Sequence, residues 1–412
     1  MILFDRFVLD NGLKVLVHRD ELSPIVAMNI LYNVGSRDEN PDRTGFAHLF
    51  EHLMFGGSVH IPRYDEPLER AGGENNAFTN NDITNYYLTI PRHNLETAFW
   101  LESDRMLNLA FTPQSLNVQR KVVIEEFRES YLNQPYGDAW LLLRPLAYKV
   151  HPYQWNTIGK DISHIRQAKM EEVKKFYHQY YNPGNAIMTI AGNVDTETIK
   201  QLCYRWFQPI ENAGTYFRNL PSEPVQTEAR FLTVERSVPF DSLYKAWHIC
   251  KRSSPDFYIF DVISDLLANG DSSRLEQELV KKQQLFSEIN AFVTGDFDEG
   301  LLVITGKLLK DIRMEQAEQA LNNEISRLAE EKVSNYELQK VKNKIESMLV
   351  FSEMKVLDKA INLAFAELMG DANLVNTEIK RFMSVTPDDI VKTASLSLVP
   401  HNCSTLYYLA KQ

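Results

Sequence analysis

A chain of 412 residues with 44% hydrophobic and 24% charged side chains has the balance of a soluble, multi-domain globular protein, which excludes disordered and collagen-like chains. The net charge of -11 disfavours nucleic acid as a partner, because phosphate binding needs a basic footprint, and no apolar run reaches the roughly 18 residues of a membrane span. Three widely spaced cysteines, at 203, 250 and 403 and with no CxxC, read as buried free thiols in a protein that does not depend on disulfides.

In chain order, residues 5–19 alternate around Asn11-Gly12 and predict a hairpin, and 25–34 predict a further strand. Residues 44–57 switch to helical spacing, 81–90 return to strand, and 93–109, 114–132 and 166–181 are helical. A short apolar strand at 185–192 ends in glycine. The first 200 residues thus read β, β, α, β, α, α, α, β. A stretch at about 211–229 with two prolines, a glycine and many polar residues predicts a linker. Beyond it come strands at 230–238 and 243–249, helices at 256–268 and 274–283, and strand at 288–306. Helices at 311–331, 335–350 and 356–369 follow, with a closing strand at 403–409. The repeated order predicts two homologous α+β halves, 1–212 and 230–412, joined by a linker at 213–229.

The sharpest chemical feature is His48-Leu49-Phe50-Glu51-His52. Its flanks, Ala47, Leu49, Phe50, Leu53 and Met54, suit a helix that ends at Gly56 and Gly57. Four residues apart on a helix, two histidines share a face and converge on one ion. Glu51, on the neighbouring edge, reaches a metal-activated water without being a ligand. This is the inverted zincin order, with the glutamate before the second histidine. Two histidines and a carboxylate among apolar neighbours would be costly without a partner.

A catalytic zinc takes three protein ligands and keeps one open position. The carboxylate-rich helix at 114–132 offers Glu125, Glu126 and Glu129. Glu126 lies four after Val122 and three after Val123, on the face expected to be buried, whereas Glu125 shares its face with Lys121. Spacing favours Glu126, with Glu129 second, and an ordinary solvated helix face remains an alternative for either.

Residues 8–58 carry VLDNGLKVLV, NVGSRDE and GFAHLFEHLMFGGS; 72–87 carry GGENNAFTNNDITNYY; 119–126 carry QRKVVIEE; 151–159 carry HPYQWNTIG; and 176–194 carry FYHQYYNPGNAIMTIAGNV. In this order the motifs resemble the pitrilysin/insulinase-type zinc metallopeptidases, and most of all short bacterial members similar to mitochondrial processing peptidase. The resemblance implies two halves, each a mainly antiparallel sheet packed with helices. It implies one zinc per chain on His48, His52 and Glu126, with Glu51 as general base. It implies that Asn76, Ala77 and Phe78 lie on an edge strand that pairs with an extended peptide. Read without it, NNAFT is an ordinary strand end.

Two departures from the family stand out. A glutamate common seven positions before the third ligand is Gln119 here, which supports the ligand set, together with Glu129, without that negative charge. Active members also carry an arginine and, seven residues later, a tyrosine that hold the substrate carbonyl. In LVKKQQLFSEI, Val280 and Ser287 take those places. The expectation is a zinc metalloendopeptidase subunit acting on extended or unfolded peptides. It would work as a heterodimer with a paralogous subunit that supplies the arginine and tyrosine, or as a homodimer using other donors such as Lys281, Lys282 or Arg274. The alternative is a non-catalytic structural or peptide-binding subunit on the same fold. No basic segment precedes an apolar run in MILFDRFVLDNGLKVLV, so no signal peptide is expected, and the expected compartment is a bacterial cytoplasm or periplasm.

Overall fold

Asn11-Gly12 makes the expected turn, with Gly12 at φ +90°, and joins β1 (Asp5–Val8) to β2 (Lys14–Arg19) in antiparallel register. The computed structural model describes residues 1–214 and 216–411; Thr215, inside the predicted linker, and Gln412, the last residue of the predicted second half, lie outside the described residues. The hairpin opens a six-stranded sheet with β3 (Ile25–Tyr32), β4 (Glu74–Thr79), β5 (Thr84–Pro91) and β6 (Ala186–Gly192), in the order β1-β2-β6-β3-β5-β4. Only the β2–β6 pair is parallel. β3 and β6 are buried almost throughout and read as continuous apolar runs, while β4, at the edge, alternates between exposed and half-buried.

A second, five-stranded sheet holds β7 (Arg230–Arg236), β8 (Ser242–His248), β9 (Phe286–Val293), β10 (Leu301–Leu308) and β11 (Cys403–Ala410), ordered β7-β11-β8-β10-β9. Here too one pair, β7–β11, is parallel and the rest are antiparallel. The run predicted as one strand at 288–306 is two, because Thr294–Gly300 turns the chain with Gly295 at φ +58°. The helix predicted at 274–283 forms as a π-helical segment, Glu276–Lys282. All three cysteines are free, with Cys203 and Cys403 buried. No helix among the described residues is long and apolar enough to cross a membrane.

The chain forms two compact units that are not contiguous in sequence. The first takes residues 1–128, 155–220 and 350–377, and the second takes 129–154, 221–349 and 378–412. Each sheet therefore recruits one helix from across the predicted linker. In the first unit the helix Val356–Leu368 lies on β3 and β6. Ala27, Ala191 and Ala360 meet there, and side chains this small let a helix approach a sheet closely. Arg6 and Lys359 anchor that helix through Glu367 and Asp20, at 2.9 and 2.8 Å. In the second unit the helix Ala139–Ala147 packs Ala139, Leu143 and Ala147 against Tyr244, Leu406 and Tyr408. Periodicity does not announce that helix, since it carries Pro145 in its interior.

The first unit also buries a charge pair. Arg105 and Glu102 are each 3% exposed and meet at 2.5 Å, with the guanidinium 4.6 Å from the ring centroids of both Tyr64 and Tyr86. Tyr64 donates its hydroxyl hydrogen to Glu102. Removing one partner of such a pair strands a buried charge, at a cost of about 3–5 kcal/mol. Arg105→Met is thus expected to lower the denaturation midpoint sharply, and a change within that of neutral surface substitutions would show that the pair is dispensable.

Candidate metal centre

The helix Phe46–Met54 presents two faces. Phe46, Ala47, Leu49, Phe50, Leu53 and Met54 are buried, and Phe50 stacks on Phe176 and Tyr181 with centroids 5.2 and 5.1 Å away. His48, Glu51 and His52 fall on the half-buried face, as the spacing predicts. Gly45 begins the helix at φ +89°, where a Cβ would stand 2.7 Å from the Ile158 carbonyl oxygen. Having no side chain, it cannot cap. The buried Glu39 does so instead, accepting from the backbone N–H groups of Gly45 and Ala47 at 2.9 and 2.8 Å. Sequence reasoning missed this role, because capping signatures look three residues along and Glu39 reaches across a loop.

Burial pushes the Glu39 pKa up from 4.5 to about 8, against the two backbone hydrogen bonds that favour its charge. The native state therefore holds a proton that the unfolded chain gives up near 4.5. This contribution to stability is complete below about pH 4.5 and is lost as pH rises through about 8. Glu39→Gln keeps the shape of the protonated form. It is expected to flatten the fall in melting temperature between pH 5 and pH 8, and an unchanged pH profile would exclude Glu39 as its source.

The third group comes from the helix Pro113–Phe127. Thr112 and Ser115 cap its start reciprocally and Pro113 fills the first turn. Arg120 donates to the Ala168 carbonyl at 3.0 Å, which fixes the helix against its neighbour. Glu126 sits at the end of this helix, two residues before a π-helical turn at Arg128–Leu132, an irregularity common beside functional sites. Val123 is buried but Val122 is exposed, so the face argument for Glu126 rests on Val123 alone. Glu125 points to solvent and pairs with Arg128 at 2.6 Å. Glu129 is exposed and Gln119 half-buried, and among the described residues no hydrogen bond joins either to the cluster.

Three ligand atoms converge. His48 Nε2 and His52 Nε2 lie 3.1 and 3.2 Å from Glu126 Oε2 and 3.3 Å from each other. A tetrahedron with vertices roughly 2.0–2.1 Å from its centre has edges of about 3.3–3.4 Å, so a zinc-sized cation fits these spacings. The donor chemistry agrees. An ionised carboxylate oxygen only accepts, and two imidazole nitrogens facing it and each other satisfy all three lone pairs best around a cation. This is the one such cluster of histidine, cysteine and carboxylate groups among the described residues. Hydrogen bonds with His48 and His52 hold Glu126 far below the usual carboxylate range. Burial opposes charge on His48, yet the hydrogen bond with Glu126 and the nearby Glu51 carboxylate push its pKa up to about 9, so the pocket attracts positive charge.

Glu51 Oε2 lies 3.6 Å from His48 Nδ1 and is outside the ligand triangle. Burial works to raise its pKa, but the neighbouring His48 and Thr79 side chains keep it below the usual range, so it is ionised at neutral pH. Thr79 ends β4, which places that end of the edge strand beside the cluster. On β4, Asn76 and Phe78 are exposed and Ala77 is half-buried. The Ala77 N–H turns away from β5 and is held by its neighbour's Asn76 Oδ1 at 2.8 Å. In the second unit, Val280 packs on the core, Ser287 is exposed and donates to the Lys307 carbonyl at 3.2 Å, and Phe286 is buried.

The sequence matches the family described as "Insulinase (Peptidase family M16)" over residues 14–142 and that described as "Peptidase M16 inactive domain" over 167–345. Together they take in more than half of the chain. A relative in Helicobacter pylori, "Zinc protease PqqE", is 28% identical over 94% of this chain and 88% of its own. "Probable mitochondrial-processing peptidase subunit beta, mitochondrial" of Arabidopsis thaliana is 22% identical over 83% of this chain and 66% of its own. Among solved structures, a protease from Helicobacter pylori superposes with a TM-score of 0.93 at 26% identity, covering 99% of this chain and 100% of that one.

Proposed function

The chain belongs to the insulinase and pitrilysin type of M16 peptidase, and from that premise we propose that it is a zinc metalloendopeptidase subunit that hydrolyses extended or unfolded peptides. The observation that carries this reading is the convergence of His48 Nε2, His52 Nε2 and Glu126 Oε2 with the ionised Glu51 alongside. Those three side chains would hold one zinc. Bound there, zinc supplies the positive charge that acidifies a water molecule and polarises the scissile carbonyl. Glu51 takes the proton of the attacking water on its carboxylate and delivers it to the leaving amine. β4 receives the substrate as an added strand, with the Ala77 N–H exchanging Asn76 Oδ1 for a peptide carbonyl and Phe78 lying against a substrate side chain. Gln119 and Glu129 would tune the ligands without a hydrogen bond to them. The contiguous halves 1–212 and 230–412 would be the units of a duplication, on which the exchange of helices between the two compact units is superimposed.

A second reading, a zinc-dependent peptide-binding subunit without turnover of its own, draws support from Val280 and Ser287, which offer no guanidinium and no phenol. Metal content tests the cluster on which both readings rest. Purified protein is expected to hold about one zinc. His48→Ala and His52→Ala should each abolish it, and Glu126→Gln should weaken binding strongly by removing the charged ligand. Full zinc retention in Glu126→Gln together with loss in Glu129→Gln would move the third ligand to Glu129.

A further inference from the structure

At the far end of β4 from the cluster, a cavity of about 950 Å³ opens between the loop after β2, the glycines before β4 and the start of the helix Val356–Leu368. All of its walls belong to the first compact unit. Leu22, Ile25, Met354 and Val356 contribute apolar surface, and Gly73 and Glu74 lead directly into the edge strand. Leu22 is 95% exposed and Met354 72% exposed, so two large apolar side chains stand in water on the rim of one hollow. Gly73 is required where the chain passes its neighbours. A Cβ there would stand 2.4 Å from Leu68 Cδ1 and 2.9 Å from the Thr89 carbonyl oxygen, so no larger residue lets the chain run this close to its neighbours. Asp20 and Lys359 cancel each other at 2.8 Å, which leaves Glu74, Glu353 and Lys355. Walls with one excess carboxylate reject an acidic side chain and suit an apolar one.

We infer that this cavity is an extended subsite for an apolar side chain of the bound peptide, about five to seven residues on the carboxyl side of the scissile bond. The inference rests on the peptide-hydrolysing reading. The outward Ala77 N–H and the alternation of an antiparallel ladder turn Asn75 and Thr79 to the free side as well. A peptide that pairs antiparallel with β4, the more stable arrangement per residue, runs from Thr79 beside the cluster towards Glu74 at the cavity. From Thr79 to Glu74 is five residues, about 17 Å at a strand's rise of roughly 3.4 Å. The next residues of the peptide then reach the Gly73 and Glu74 wall of the cavity, whose other walls carry Leu22 and Met354.

The test is binding of fluorescent peptides to zinc-loaded Glu51→Gln protein by anisotropy, so that it does not depend on turnover. One peptide covers β4 alone; a second carries a carboxyl-side extension with leucine at the sixth and seventh positions; a third has serine there. The leucine peptide is expected to bind roughly 10- to 100-fold tighter than the other two, the usual worth of burying one or two apolar side chains. Leu22→Asp and Met354→Asp, both at exposed positions and checked for an unchanged melting temperature, should remove that advantage and leave short-peptide affinity intact. Equal binding of leucine and serine peptides, an advantage that survives both substitutions, or one that appears only with an amino-side extension, would overturn the inference while short-peptide binding keeps the parent reading. If no peptide binds the zinc-loaded protein, both fall together.

Discussion

Glu51→Gln is expected to keep its zinc and to lose at least about 100-fold in turnover, the usual lower bound for a general base. The amide has nearly the carboxylate's shape, so the packing of the helix Phe46–Met54 is not disturbed. Glu51 is not one of the three convergent atoms, whose mutual distances of 3.1 to 3.3 Å do not involve it. What changes is the capacity to take a proton. An ionised carboxylate held below its usual pKa by His48 and Thr79 accepts one, and an amide does not. Steady-state cleavage of a denatured protein substrate, read beside elemental analysis of the same preparation, separates the outcomes. Loss of activity with full zinc identifies the base. Loss of both makes Glu51 a structural support for the ligands, and full activity with full zinc removes it from the mechanism.

The part of the site that lies on one helix is legible in the sequence, because helical geometry alone brings residues four apart onto a common face. His48, Glu51 and His52 needed nothing else. The third position is a tertiary fact. Spacing narrows it to a helix with three glutamates, and only the packing of that helix decides that Glu126 faces the histidines while Glu125 faces Arg128. The same division holds in the fold. β1, β2, β3 and β6 announce themselves through alternation or unbroken apolar runs, and the Asn11-Gly12 turn joins the first two. The exchange of the helices Ala139–Ala147 and Val356–Leu368 does not, since an amphipathic stripe says that a helix buries a face but not against which sheet. Glu39 is hidden for a related reason. Its cap on Gly45 and Ala47 is made through a loop, and nothing in a local pattern of residues encodes that closure.

The isolated chain is expected to turn over about 100- to 1,000-fold more slowly than the same chain mixed with a paralogous subunit that carries an arginine and, seven residues later, a tyrosine where Val280 and Ser287 stand here. That range is the cost of lacking one donor to a developing oxyanion. The basic side chains expected as substitutes are already engaged. Arg274 is committed to Glu337 at 2.6 and 3.0 Å, Lys281 donates to the Asp271 carbonyl at 2.7 Å, and Lys282 is paired with Glu278 at 2.7 Å. Val280 is apolar and packed on the core, Phe286 is buried without a hydroxyl, and Ser287 already donates to a backbone carbonyl. A zinc, an ionised base and an edge strand would then bind a peptide and activate water, yet leave the charge that builds on the carbonyl oxygen to the metal alone. A heterodimer would correct this by lending the missing guanidinium and phenol from the partner chain. Assays of the rigorously purified chain, of the candidate partner, and of the mixture decide the matter. Activity confined to the mixture, and lost when the partner's arginine becomes alanine, is the expected result. High activity from the single chain, unchanged on mixing, would show that this chain holds its transition state with donors of its own, and a homodimer dissociating in step with that activity on dilution would place them in a second copy.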